Sequence, residues 1–82
     1  MPYVLRPTDD FLKQVRKLDN SMKELVDKKL ERIKQNPTLS KPLEHGSNIY
    51  SERVRGFRMV FKVSGNEVIL FRVKKRDEAY RP

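Results

Sequence analysis

Apolar residues recur at two different spacings along this chain, and the change of spacing divides it into two parts. Between residues 8 and 36 they recur every three or four positions, which is typical of amphipathic helices. From residue 49 onward they alternate with polar or charged residues, which is typical of half-buried strands. The sequence therefore predicts helices followed by a sheet, with a short strand, Tyr3 to Arg6, ahead of the helices.

The helical part contains two separate starting signals. Thr8 is placed to cap a first helix, and Ser21, with Glu24 three residues later, is a capping box for a second helix that ends at Asn36-Pro37. Because the break at Asp19-Asn20 is short, the two helices are predicted to form an antiparallel hairpin. Their apolar stripes are Phe11, Leu12, Val15 and Leu18 in the first helix, and Met22, Leu25, Val26, Leu30 and Ile33 in the second.

The remainder is predicted to be a loop and then a β-meander. Two prolines and a glycine between residues 37 and 48 indicate a loop. The glycines in Arg55-Gly56 and Ser64-Gly65-Asn66 suit hairpin turns between antiparallel strands. The expected fold is α+β with the order β-α-α-β-β-β, its helical hairpin packed on one face of a small antiparallel sheet. The three strands of the meander are predicted at Ile49 to Val54, Phe57 to Val63, and Glu67 to Lys74.

Alternation within the middle strand separates a core face from a charged face. Phe57, Met59 and Phe61 share one face, whereas Arg58 and Lys62 lie on the other. The chain has 19 lysines and arginines against 11 acidic residues, a formal net charge of +8. Guanidinium groups arranged on one sheet face suit a phosphate-bearing ligand, so nucleic acid is the first partner to consider. The charge alone does not identify the polyanion.

Composition also excludes several classes of protein. A chain of 82 residues supports a single domain, residues 1–82, with one small core. With no cysteine and a single histidine, His45, we expect no disulfide, no thiol nucleophile, no metal site and no cofactor. No apolar run approaches the roughly 18 residues of a membrane span, and Met1 to Val4 lacks the features of a signal peptide. We therefore expect a cytoplasmic protein without a membrane partner.

Two segments, taken with the order of elements, resemble the RelE/ParE superfamily of toxins. They are Gly56-Phe57-Arg58-Met59-Val60-Phe61 and the ending Lys75-Arg76-Asp77-Glu78-Ala79-Tyr80-Arg81, and Asn36-Pro37 at the end of the second helix also fits. The resemblance spans nearly the whole chain. It implies the toxin of a type II toxin-antitoxin system, an endoribonuclease that enters the ribosomal A site, cuts messenger RNA and is held inactive by a cognate antitoxin.

The same resemblance implies roles for individual residues. Arg58 matches an arginine that contacts the scissile phosphate, Arg76 and Tyr80 match the arginine and tyrosine of the tail motif, and Arg53 matches a basic position on the preceding strand. Ser51 stands where RelE itself has a second catalytic lysine. These four catalytic candidates are joined by expected RNA-binding residues on the strands and turns nearby, which are Lys74, Lys75, Arg55 and Lys62.

The implied chemistry requires no metal, because RNA carries its own nucleophile in the 2′-hydroxyl. Arg58 and Arg76 would stabilise the charge that develops on the phosphorus, while Tyr80 would orient the substrate or stack on a base. Two alternatives stay open at this point. The lysine replaced by Ser51 favours a ParE-type inhibitor of DNA gyrase without ribonuclease activity, and the basic surface alone also fits a non-enzymatic RNA-binding module.

Overall fold

A computed structural model describes residues 3–43 and 48–75 of the chain. The predicted order of helices and strands is confirmed, and a two-residue strand is added after the helices. A single 3₁₀ turn, Pro37–Leu39, follows the second helix. The elements are β1 (Val4–Pro7), α1 (Asp9–Arg16), α2 (Asn20–Gln35), β2 (Lys41–Pro42), β3 (Ile49–Val54), β4 (Phe57–Ser64) and β5 (Glu67–Lys75).

The strands form one five-stranded sheet in the order β1-β5-β4-β3-β2. The predicted antiparallel meander of β3, β4 and β5 is confirmed. The sheet as a whole is mixed, however, because β1 runs parallel to β5, with Val4 opposite Glu67 and Pro7 opposite Leu70. The chain leaves β1 through the two helices, so no hairpin turn obliges β1 to run antiparallel to its neighbour.

The two helices begin at side chains that cap them. Thr8 caps α1 as predicted, since its Oγ1 accepts a hydrogen bond from the backbone N–H of Phe11 at 3.2 Å. The cap predicted at Ser21 for α2 is wrong: Asp19 Oδ1 accepts from the backbone N–H of Met22 at 2.8 Å, and the helix starts at Asn20. Aspartate caps as well as serine does, and the earlier start adds residues to the helix. Its predicted end is confirmed.

The core lies between the helices and one face of the sheet. Phe11, Val26 and Ile33 come from the helices and are at most 2% exposed. They pack with residues of the three long strands, and the Tyr50 and Phe61 rings stack with centroids 5.8 Å apart. Leu12, predicted to belong to the apolar stripe of α1, is instead exposed. The sheet contributes Val54, Met59, Phe61, Val68, Leu70 and Val73 to this core.

A β-bulge in β5 changes which residues face the core. Val60 lies opposite Arg72 while Phe61 lies opposite Leu70, so β5 has one more residue than β4 at this point. Because of the extra residue, Leu70 and Val73 are both buried in the core although they are three positions apart. Arg72 and Lys74 therefore lie on the opposite face of the sheet, which we call the outer face.

Candidate nucleic-acid interface

Three cationic residues lie side by side on the outer face, each one position from the end of its strand. Arg53 on β3 is directly opposite Arg58 on β4, which is directly opposite Lys74 on β5. Neighbouring strands are about 4.8 Å apart, so the row of three backbone positions spans roughly 10 Å. Like charges placed directly opposite each other destabilise a sheet, so this row is unfavourable for folding alone.

The cationic surface extends beyond that row. Two residues further along each strand, a second row crosses the outer face. It consists of Arg72 on β5, Val60 on β4, Ser51 on β3 and Lys41 on β2, each opposite the next. One step further, Lys62 occupies the outer face between Ile49 and Ile69. We call the set of Lys41, Arg53, Arg58, Lys62, Arg72 and Lys74 the basic face.

Arg58 differs from the other members of the basic face in its burial. It is only 7% exposed, whereas Arg53 and Lys62 are exposed and Lys74 is half-buried. Its Nη1 donates a hydrogen bond to Ser51 Oγ at 2.8 Å, and Ser51 is itself 2% exposed. The guanidinium in the middle of the row is thus held in one orientation and partly removed from water.

The acidic residue of β3 is turned away from the basic face. Glu52 lies on the helix side of the sheet, where its Oε1 accepts from Lys29 Nζ at 3.2 Å and also pairs with Arg32. These contacts connect β3 to α2. They also place the Glu52 carboxylate on the opposite side of the sheet from Arg53 and Arg58.

The structure brings together four of the residues predicted from the sequence, and separates two others from them. Arg53, Arg58, Lys62 and Lys74 share the outer face, and for Arg58 and Lys62 this confirms the alternation predicted within the middle strand. Two candidates lie elsewhere. Lys75 is opposite Phe57, on the helix side, and Arg55 occupies a turn with a φ of 55° and borders a groove beside α2. Arg76 and Tyr80 lie outside the described residues.

Two cations of the basic face were not among the candidates. Arg72 reaches the outer face only because of the bulge in β5, and strict alternation from Val68 and Leu70 would have placed it in the core. Lys41 comes from the two-residue strand β2, which lies in a segment read as loop. No sequence pattern marked either residue.

Two further observations concern metals and membranes. Within residues 3–43 and 48–75, no three acidic or histidine side chains come together as a metal site would require. In the same part of the chain, neither helix is long and apolar enough to cross a membrane.

Residues 5–80 match the family model described as the ParE toxin of the type II toxin-antitoxin system, parDE. No curated protein sequence matches the chain. The toxin in the crystal structure of the intact E. coli RelBE toxin-antitoxin complex superposes with a TM-score of 0.80 at 29% identity, covering 89% of this chain and 95% of that chain.

Two more solved structures show the same fold. A mutant of E. coli toxin RelE in the free state gives a TM-score of 0.84 at 26% identity, covering 96% of this chain and 88% of the other. The RelBE2 toxin-antitoxin complex from Mycobacterium tuberculosis gives 0.77 at 22% identity, covering 93% and 100%. The architecture is therefore that of a small toxin from a type II toxin-antitoxin system. The chain belongs to the ParE toxin family, within the RelE/ParE superfamily.

Proposed function

We propose that this toxin is an endoribonuclease that cleaves messenger RNA on the ribosome and so stops translation. The observation that carries the proposal is the burial of Arg58 at the centre of a cationic row, with its guanidinium fixed by Ser51. A guanidinium donates two parallel hydrogen bonds to a phosphate, and such charge-assisted bonds strengthen where water is excluded. A positioned phosphate is the requirement for RNA cleavage by its own 2′-hydroxyl.

In the proposed reaction the 2′-oxygen of one nucleotide forms a bond to the adjacent phosphorus, and the bond from phosphorus to the 5′-oxygen of the next nucleotide breaks. The 2′-hydroxyl gives up its proton and the leaving 5′-oxygen gains one. The products are a 2′,3′-cyclic phosphate and a 5′-hydroxyl. Negative charge grows on the non-bridging oxygens, so fixed donors such as Arg58 stabilise the transition state more than the ground state.

The other cations would position the strand. Arg53 and Lys74, on either side of Arg58, are placed to bind the phosphates that flank the scissile one. Arg76 would add a second donor at the reacting phosphate, and Tyr80 would orient or stack on a base, as the resemblance implies. No residue of this set requires a metal or a cofactor.

The proposed partners are the ribosome, the messenger RNA and a cognate antitoxin. Two of the similar structures are complexes of a RelE-type toxin with its antitoxin. An antitoxin for this chain would be expected to carry acidic residues, because the surface that it must neutralise is basic. We propose a cytoplasmic location, since that is where translation takes place.

A second candidate function is inhibition of DNA gyrase without any ribonuclease activity. Two observations favour it: the matching family model is that of a ParE toxin, and the outer face of β3 carries only one cation, Arg53, next to the neutral Ser51. A gyrase inhibitor would block supercoiling in a purified assay and leave translated messages intact.

The deciding experiment is primer-extension mapping of a translated message in a reconstituted translation system, with naked RNA beside it. Wild type should cut only ribosome-engaged message, and Arg58→Ala should lower the rate by about 10²-fold or more. Arg16→Ala is the matched control, because Arg16 is an exposed arginine of α1 that is not on the basic face. Absence of cuts from folded wild type, or full activity in Arg58→Ala, would overturn the proposal.

A further inference from the structure

A polar pocket adjoins the basic face at the edge of β5. Its volume is about 360 Å³, and it lies between the first turns of α1 and the second half of β5. Pairing of β1 with β5 stops at Leu70, so the edge of β5 beyond that residue is not covered by β1. The pocket is lined by Thr8, Asp10, Gln14, Phe71, Arg72 and Lys74.

The side chains of Thr8, which caps α1, and of Gln14 within α1 bind the exposed edge of β5 and so fix the walls of the pocket. Gln14 Oε1 accepts a hydrogen bond from the backbone N–H of Val73 at 2.7 Å. Thr8 Oγ1 lies 2.9 Å from the carbonyl oxygen of Leu70, to which it donates. Because a backbone N–H can only donate, the Gln14 amide must present its oxygen to β5. Its nitrogen is then the atom that can serve a ligand, and it serves as a donor.

The pocket and the basic face share two cations. Lys74 is the end of the row that begins at Arg53 and passes through Arg58, and Arg72 is its neighbour on the same face of β5. An RNA strand with one phosphate at Arg58 and the next at Lys74 would therefore bring a nucleotide to the mouth of the pocket. A base turned out of the strand would meet Phe71, the half-buried aromatic side chain of the bulge.

We infer that this pocket binds a nucleobase next to the scissile phosphate and that it selects guanine; the inference rests on the proposed function. Asp10 and Gln14 are four residues apart on α1, so their side chains are neighbours on one side of the helix. Together they present a carboxylate, which accepts two hydrogen bonds, beside an amide donor. The Watson–Crick edge of guanine offers two adjacent N–H donors and a carbonyl oxygen, which is the complementary arrangement.

The other three bases do not match that arrangement. Cytosine and adenine each offer one amino donor on this edge next to a ring-nitrogen acceptor, and uracil offers one N–H between two acceptors. Each of them would place an acceptor against the Asp10 carboxylate. A good bidentate contact discriminates between bases by roughly tenfold or more, so the expected preference for guanine is of that order.

The first test measures nucleotide binding without any cleavage. Amide chemical shifts of the folded toxin are followed by NMR during titration with GMP, AMP, CMP and UMP. We expect GMP to bind about tenfold more tightly than the others and to shift the amides of Asp10, Gln14 and Phe71. Equal affinities, or shifts confined to the cations of the basic face, would overturn the inference while leaving the proposed ribonuclease function intact.

Two variants locate the selectivity in the pocket. Asp10→Asn replaces a carboxylate oxygen by a donor, and Gln14→Glu keeps an acceptor for Val73 but removes the donor that would face guanine O6. Both should abolish the preference for GMP. Asp9→Asn is the control, because Asp9 is an exposed acid of the same turn that does not line the pocket. Guanine selectivity that survives in both pocket variants would refute the assignment.

The second test reads the same preference in the reaction products. Sequencing of cut ends from the translation system should show guanine enriched at one fixed position beside the cut, and the cuts made by Gln14→Glu should lack this enrichment. Cuts with no base preference at any position would refute the inference and leave the ribonuclease in place. No cuts at all would refute the ribonuclease, and the NMR titration would then decide the pocket separately.

Discussion

The hydrogen bond between Ser51 and Arg58 makes the stability of the sheet depend on the residue proposed to bind the scissile phosphate. Ser51→Ala removes the acceptor while Arg58 stays buried at 7% exposure. Hydrogen bonds to charged groups contribute about 1.5–3 kcal/mol, and the free energy of unfolding should fall by that amount. For a domain of this size each kcal/mol corresponds to about 4–8 °C, so the melting temperature should fall by roughly 6 °C or more.

A second substitution separates the hydrogen bond from other effects of the serine. In Ser51→Ala/Arg58→Met both partners are apolar, and such paired replacement is nearly neutral or stabilising. The double variant also removes the Arg58 charge, which lies between Arg53 and Lys74. Each opposed pair of like charges is unfavourable by about 0.2–1 kcal/mol. The double variant should therefore regain most of the stability lost in Ser51→Ala, although it should not cleave RNA.

Urea unfolding followed by far-UV circular dichroism measures both effects. Ser64→Ala is the control, because Ser64 is an exposed serine at the end of β4, and it should stay within about 0.5 kcal/mol of wild type. The reasoning is refuted if Ser51→Ala is equally close to wild type. It is also refuted if the double variant is no more stable than Ser51→Ala, since Arg58 would then not be the group that needs the hydroxyl.

Three further predictions concern the scaffold, and all are measured as free energies of unfolding in urea. Asp19→Ala should lower the free energy of unfolding by about 0.5–2 kcal/mol through loss of the α2 cap, whereas Ser21→Ala should have little effect. A larger loss of stability in Ser21→Ala than in Asp19→Ala would show that the capping box operates in solution. Glu52→Gln weakens the ion pairs with α2 and should lower the free energy of unfolding by about 1–2 kcal/mol. The expected loss is this small because both cationic partners are partly exposed to water. A loss of stability that does not shrink in high salt would contradict this account. Met59→Ala, at a fully buried position, should cost about 2–5 kcal/mol, and Met22→Ala at a half-buried position should cost clearly less.

Periodicity was sufficient to predict the order of the elements, because each helix and strand buries one continuous face and the sequence records that face directly. The parallel pairing of β1 with β5 was not predictable in this way. It joins segments about sixty residues apart, and four residues carry no signal for their partner or its direction. The start of α2 was misplaced for a local reason, since Asp19 and Ser21 are both good caps and only the packing of the helix decides between them.

The basic face was predictable only as far as strict alternation holds. On β4 it does hold, and Arg58 and Lys62 lie on the face that the sequence predicted for them. On β5 the bulge at Phe71 reverses the alternation, which moves Arg72 and Lys74 to the outer face and Val73 to the core. Where a bulge forms depends on how the strand packs against its neighbours. Here the neighbouring element is α1, and its Gln14 side chain accepts a hydrogen bond from the backbone N–H of Val73.

The burial of Arg58 also bears on the choice between the two candidate functions. A protein surface that needs only positive charge can use exposed, flexible lysines. Such a surface binds through many weak contacts, so screening of each contact by water lowers the total binding free energy only a little. The Arg58 guanidinium is only 7% exposed and lies between two other cations. Its hydrogen bond of 2.8 Å to the buried Ser51 fixes its orientation. Fixed orientation and partial desolvation are useful when one ligand oxygen must be stabilised more strongly in a transition state than before it. That requirement belongs to cleavage at a phosphate, and on this ground the ribonuclease proposal is preferred to inhibition of gyrase by surface contact.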